Sequence, residues 1–175
     1  MGSNFAKLQP DVEQLGTVRD FVNEFIEAVK TQPLLQGFSR QEVALLSEYL
    51  ECFGVPRHST VVREGDEGNF LAILVTGKAR ILKAHDGVDK VVQELKPGDL
   101  IGAMSFLDGQ KRFTGCLTTE PSDFAVLSQD NLNAMLADHP RLGNKFLLML
   151  LGLTNARLRH ATTLMLPGLA EASLY

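Results

Sequence analysis

Leu100-Ile-Gly-Ala-Met-Ser-Phe-Leu-Asp-Gly-Gln-Lys-Arg-Phe-Thr114 reads as a strand that ends at a glycine, a single helical turn, and an arginine nine residues after Ala103. That order suits an anion. Gly102 lets the backbone approach a ligand with no Cβ in the way. The N–H groups that open the turn, through Met104 and Ser105, lie at the positive end of a helix dipole. Arg112 brings a planar guanidinium that grips two oxygens at once and keeps its charge when partly buried.

The flanking sequence is rich in turns. Gly65, Gly68, Gly77, Gly87, Gly98, Gly102, Gly109 and Gly115 are eight of the fifteen glycines, so short elements are expected around the cradle. Between them lie β-rich runs at 60–62, 70–75, 79–82, 88–92 and 124–127, spaced as in a sandwich or barrel. Asp86-Gly87 joins two of these runs and suits the positive φ angles of a tight type I′ hairpin.

Farther out the period changes. Val12, Leu15, Val18, Val22, Phe25, Ile26 and Val29 recur every three or four residues, which predicts one amphipathic helix. Ser39-Arg-Gln-Glu42 matches a capping box and predicts a second helix through Val43, Leu45, Leu46, Tyr49 and Leu50, with Pro33 and Gly37 separating the two. A short helix is expected over 131–137, stopped by His139-Pro140. A long one follows over 141–166 and ends at Pro167-Gly168.

Composition bounds the function. At 175 residues the chain is one domain, able to bury about 70% of its unfolded surface. Its 17 Lys and Arg against 21 Asp and Glu leave a net charge of -4, without the basic excess of a protein that tracks phosphates along nucleic acid. The apolar run 146–153 is far shorter than the roughly 18 residues of a membrane-spanning helix. Residues 1–6 contain no secretory core, and Ala6 stands where an N-myristoylation signal has Ser or Thr. Cys52 and Cys116 form no Cys-x-x-Cys and read as reduced, buried small hydrophobes. A soluble protein of the cytoplasm is expected.

The stretch from 57 to 127 resembles the cyclic nucleotide-binding domain of catabolite-activator-like regulators, cyclic-nucleotide-dependent kinases and gated channels. Two motifs carry the likeness. Val62-Arg-Glu-Gly65-Asp-Glu-Gly68-Asn-Phe-Leu-Ala-Ile-Leu-Val-Thr-Gly77-Lys-Ala-Arg-Ile81 is similar to that family's strand, Gly-Asp turn, strand and Gly-Lys turn. Ile101-Gly102-Ala103-Met104-Ser105-Phe106, with Arg112 at matching spacing, resembles its phosphate-binding cassette. With the flanking helices, the resemblance covers about three quarters of the chain.

The resemblance implies an α+β, mainly β fold: a double-stranded β-helix, or jelly-roll barrel, flanked by N-terminal helices and a long C-terminal helix. It divides the chain into a helical segment at 1–38, the sensor body at 39–140, a lid or dimer helix at 141–166 and a tail at 167–175. It further implies that the cassette holds a cyclic nucleotide such as cAMP or cGMP, that the last helix closes over the base, and that an effector protein senses the closure. Arg112 would neutralise the phosphate, and Gly102 and Ser105 would donate N–H groups, with Met104 beside them. Ala103 departs from the family, which usually has a glutamate that accepts from the ribose 2′-hydroxyl. A hydrogen bond to a charged group is worth about 1.5–3 kcal/mol, so its loss implies roughly ten- to a hundredfold weaker binding unless another group substitutes. Phe113 is the second departure, standing where a small residue is common; it either crowds the pocket or faces the core. Strand alternation would put Thr114 on the Arg112 face.

Rival readings are limited. His58, His85, His139 and His160 are scattered with no His-x-His pair, Ser105 has no nucleophile elbow, and Gly77-Lys78 lacks a P-loop frame, so no catalytic or metal site and no cofactor is expected. Glu64, Asp66 and Glu67 read as a solvated turn. Only 167–175 follows the long helix, too short for a DNA-reading helix, and Arg157, Arg159 and His160 are expected to complement that helix's carboxyl end. Leu142, Phe146, Leu147, Leu148, Met149, Leu150, Leu151, Leu153 and Leu158 are too many apolar residues for one stripe, which implies a homodimer that buries the surplus face. The alternative to a sensor is a ligand-independent protein-interaction module with a degenerate cassette.

Overall fold

The computed structural model describes Phe5 and residues 12–18, 22–30, 35 and 37–172. In chain order the elements are β1 (Glu13–Thr17), α1 (Val22–Lys30), α2 (Arg40–Ser47), β2 (Glu51–Val55), β3 (Thr60–Val62), β4 (Phe70–Thr76), β5 (Ala79–His85), β6 (Val88–Leu95), β7 (Leu100–Ile101), α3 (Ala103–Asp108), β8 (Gly115–Thr118), β9 (Ser122–Ser128), α4 (Gln129–Asp138) and α5 (Pro140–Ala172). One sheet has the order β1-β2-β9-β4-β7 and the other β3-β8-β5-β6, with antiparallel pairing throughout.

The unbroken apolar run of β4 follows from its place in the middle layer. Phe70, Ala72 and Leu74 face the other sheet, together with Phe53, Phe124, Val126 and Cys116. Leu71, Ile73 and Val75 face the helices, where they meet Phe25, Leu46, Met135 and Phe146. A strand buried on both faces needs apolar residues at every position, and β9 repeats the pattern. The sheets face each other as two unclosed layers rather than a closed barrel. Phe5 plugs the space between them, its ring 4.8 Å from Phe53 and 5.1 Å from Phe70.

The local signals hold where chemistry is explicit. Asp86 and Gly87 take φ of 53° and 76°, and the hairpin pairs His85 with Val88. Ser39 caps α2, accepting from the Glu42 N–H while the Glu42 carboxylate accepts from the Ser39 N–H. Cys52 and Cys116 are free and buried, and burial pushes their thiols up to about 11 and about 12.

Two expectations about the helices require correction. The pattern over 12–29 does not form one helix: Glu13–Thr17 is a strand paired with β2, with a bulge at Gly16 (φ 114°), and the helix proper is Val22–Lys30. The five residues Glu13–Thr17 are too few to fix a period, and the edge of β2 decides in favour of pairing. The long helix begins at Pro140, whose missing N–H is harmless in a first turn, and continues through Pro167-Gly168 to Ala172. Proline removes one backbone bond, and the helical course resumes beyond it. Pro33 lies outside the described residues.

Candidate functional site

β4 pairs with β7 through Ala72–Ile101 and Ile73–Leu100, which delivers the chain to Gly102 at the rim of the intersheet core. Gly102 adopts φ 79°, ψ 10°, the left-handed region that glycine enters without strain, and reverses the chain into α3. The first bond of α3 runs from the Phe106 N–H to the Gly102 carbonyl at 3.1 Å. The N–H groups of Ala103, Met104 and Ser105 precede it, and helix geometry leaves them without an acceptor in α3.

Arg112 holds this corner together. Nη1 donates to the Gly102 carbonyl at 3.0 Å and to Ser105 Oγ at 2.9 Å, and Nη2 donates to the Phe70 carbonyl at 2.6 Å. The guanidinium carbon stands 4.4 Å from the centre of the Phe70 ring. The side chain is 3% exposed. Burial draws its pKa down to about 10, with Asp66 acting in the opposite direction, so it remains a cation at neutral pH. Its backbone is clasped by the turn at Gly65: the Gly65 N–H donates to the Arg112 carbonyl and the Arg112 N–H to the Asp66 carbonyl, each at 2.8 Å. The two sequence motifs thus meet. A Cβ at Gly68 would collide with Ser105 and one at Gly102 with the Arg112 guanidinium, so both glycines make room for the arginine.

Gly102, Ala103, Met104, Ser105, Arg112, Phe113 and Thr114, the seven residues expected at the site, all line one cavity of about 220 Å³. Ala103 is 1% exposed and packs into the core between sheet and helices. Met104 and Phe113 are exposed at the mouth. Phe113 does not face the core: it is exposed at the cavity wall, and Lys83 Nζ sits 4.1 Å over its ring. Strand alternation does not separate Phe113 from Thr114, because β8 begins only at Gly115 and both residues line the wall. Glu64 is more than a solvated turn residue. It accepts from Lys83 Nζ and from the Ala84 N–H, which pins the Gly65 turn to β5.

Sequence reading missed Val62, Ile81, Val92 and Gln93 on the far wall, and Arg157 on α5. Arg157 lies well inside the helix rather than at its carboxyl end, and Nη2 donates to the Leu100 carbonyl at 3.1 Å. One signal was available: Leu142, Phe146, Leu150 and Leu153 form an inward stripe of α5, and one further step of four reaches Arg157.

The family model for the cyclic nucleotide-binding domain matches residues 53–139. The structure of a cyclic nucleotide-binding domain from Methylobacillus flagellatus matches with a TM-score of 0.84 at 35% identity, covering 96% of both chains. The chain belongs to the cyclic nucleotide-binding domain family. The α+β, mainly β jelly-roll architecture is therefore shared, although its sheets stay open here. Among curated members, the CRP-like cAMP-activated global transcriptional regulator of Mycobacterium tuberculosis is 29% identical over 118 residues, 67% of this chain and 53% of that protein. The cAMP-dependent protein kinase regulatory subunit of Aspergillus niger is 30% identical over 118 residues, 67% of this chain and 28% of that protein. This cyclic nucleotide-binding domain thus spans about half or less of those two relatives. Among the described residues no helix is long and apolar enough to cross a membrane, and no group of His, Cys, Asp or Glu side chains is placed to hold a metal ion.

Proposed function

We propose that the cavity at 102–105 and Arg112 binds a cyclic nucleotide, cAMP or cGMP, that α5 carries the bound state to an effector protein, and that the domain works in the cytoplasm as a non-enzymatic, homodimeric sensor. One observation carries the reading: the glycine-led start of α3 from Gly102 to Ser105, Arg112 and Thr114 line the same cavity. A helix start and a guanidinium both suit phosphate oxygens, and Arg112 would exchange some of its present bonds for them. α5 is placed to respond, since Arg157 reaches from it to the cavity and to the Leu100 carbonyl. A ligand shifts α5 only by its difference in affinity between two helix positions, so the signal is bounded by the contacts made there. For the dimer, Leu148, Leu151, Asn155, Leu158, Thr162 and Met165 are all exposed and recur at alternating spacings of three and four, the seam of a two-helix coiled coil.

Calorimetric titration with cAMP and cGMP on the native chain and on Arg112→Ala tests the cassette. Binding that weakens at least tenfold in the variant supports it, and equal binding by both proteins rejects it. Because Arg112 also ties Gly102 to Phe70, circular dichroism must first show the variant folded.

One observation favours a second reading. Three donor bonds of Arg112 already end on protein acceptors, as in a cassette that closes upon itself and leaves a ligand-independent interaction module. Silence up to millimolar cyclic nucleotide would select that reading.

A further inference from the structure

We infer that Phe5 is a positioning residue for Arg112: its ring holds the Phe70 ring against the guanidinium, so that the seating of Phe5 between the sheets and the ligand affinity of the cavity rise and fall together. Its effect on affinity rests on the proposed cyclic nucleotide site, and its effect on Arg112 on packing alone. Phe5 lies outside the stretch 53–139 that the family model matches, yet it is 2% exposed and belongs to the intersheet core. Its ring meets Phe70 edge-on, at 5.1 Å and 80°, and Phe53 at 4.8 Å. Phe70 in turn touches Arg112 twice. Its ring centre lies 4.4 Å from the guanidinium carbon, and its carbonyl accepts from Nη2 at 2.6 Å.

Phe70 is the first residue of β4, and its pairing with Ser128 is the last of the β4–β9 register, so the regular ladder ends at it. A ring at such a place is held by what packs against it. A guanidinium taken out of water gains from the face of a ring only while the ring stays beneath it. Val62 and Ile101 of the same core also line the cavity, so a shift of that core reaches the cavity wall as well. Loss of the Phe5 ring leaves a gap that neighbours move to fill, and Phe70 is the neighbour that carries Arg112. An edge-to-face aromatic pair accounts for roughly two- to tenfold in an equilibrium constant. By linkage, a ligand tightens the seat of Phe5 by the same factor as Phe5 tightens the ligand.

Phe5→Leu and Phe5→Met keep most of the bulk and lose the ring, and Phe124→Leu serves as the control. Phe124 belongs to the same core, its ring 6.2 Å from Phe5, but it stands opposite Leu74 rather than Phe70. Circular dichroism first shows each variant folded. In NMR without ligand, the ring current of Phe70 displaces the Arg112 Nε–H resonance of the native chain; in both Phe5 variants that resonance should return toward the position of an exposed arginine, and in Phe124→Leu it should stay. In calorimetry with cyclic AMP and cyclic GMP, the Phe5 variants should bind roughly two- to tenfold more weakly, and Phe124→Leu like the native chain. A resonance that stays in the Phe5 variants, an affinity unchanged in them, or an equal response in Phe124→Leu overturns the inference and spares the cassette. A native chain silent to both nucleotides removes the cassette reading, and the resonance alone then decides whether Phe5 positions Arg112.

Discussion

At the proposed ligand site, Ala103 is a departure from the family pattern. A methyl occupies the place where the family resemblance implies a carboxylate, and the lining offers no acidic replacement. Because Ala103 is 1% exposed, circular dichroism must first show Ala103→Glu folded; the folded variant is expected to bind cyclic mononucleotide about ten- to a hundredfold tighter by calorimetry, and an unchanged affinity in it would mean that the carboxylate is irrelevant to this cavity. Gly102→Ala should act the other way. Its φ of 79° strains any L side chain, and the added Cβ meets the Arg112 guanidinium, so a loss of about 1–3 kcal/mol is expected by urea denaturation. Gly102 and Arg112 were legible in sequence because their roles depend on residue type and spacing. Arg157 was legible only in part: the apolar stripe of α5 leads to it, but its approach to the cavity depends on how α5 lies across the sheets.

α2 and α5 are joined by an ion pair that local chemistry prepares. The Glu42 carboxylate completes the cap of α2 and accepts from Lys145 Nζ on α5 at 2.7 Å. The bond to Lys145 and then the Ser39 N–H hold its pKa at about 2, below the ordinary value of 4.5. A carboxyl depressed in the fold stabilises it fully above the unfolded pKa and ceases to do so as pH falls through the folded one. The difference in melting temperature between the native chain and Glu42→Gln should therefore be constant near neutrality and shrink as pH falls from about 5 to 2; a difference independent of pH would exclude the pair as its cause. Capping boxes and hairpin dipeptides were legible because both are sequence-local. β1 was misread because its structure comes from pairing with β2, a partner more than thirty residues away in the chain. The strand β8, next to the cassette, was likewise missed, since Gly115–Thr118 is too short to show a period, whereas Leu100–Ile101 reads as the strand that ends at Gly102.

At the scale of the molecule, α5 has two working faces. Its inner face packs on the domain and ends at the cavity; its outer face leaves Leu148, Leu158 and Leu164 each more than 60% exposed. The proposed dimer buries that outer seam, so Leu151→Asp with Leu158→Asp should convert a dimer to a monomer in sedimentation at tens of micromolar; a native monomer under the same conditions rejects the seam. Whatever the oligomer, the central claim concerns the start of α3. The most direct measurement is an amide-resolved NMR titration with cyclic GMP and cyclic AMP. If the cassette works as proposed, the N–H resonances of Ala103, Met104 and Ser105 shift in step with ligand and saturate, accompanied by the Arg112 side chain. Saturable shifts that bypass those amides, or none up to millimolar ligand, would contradict it.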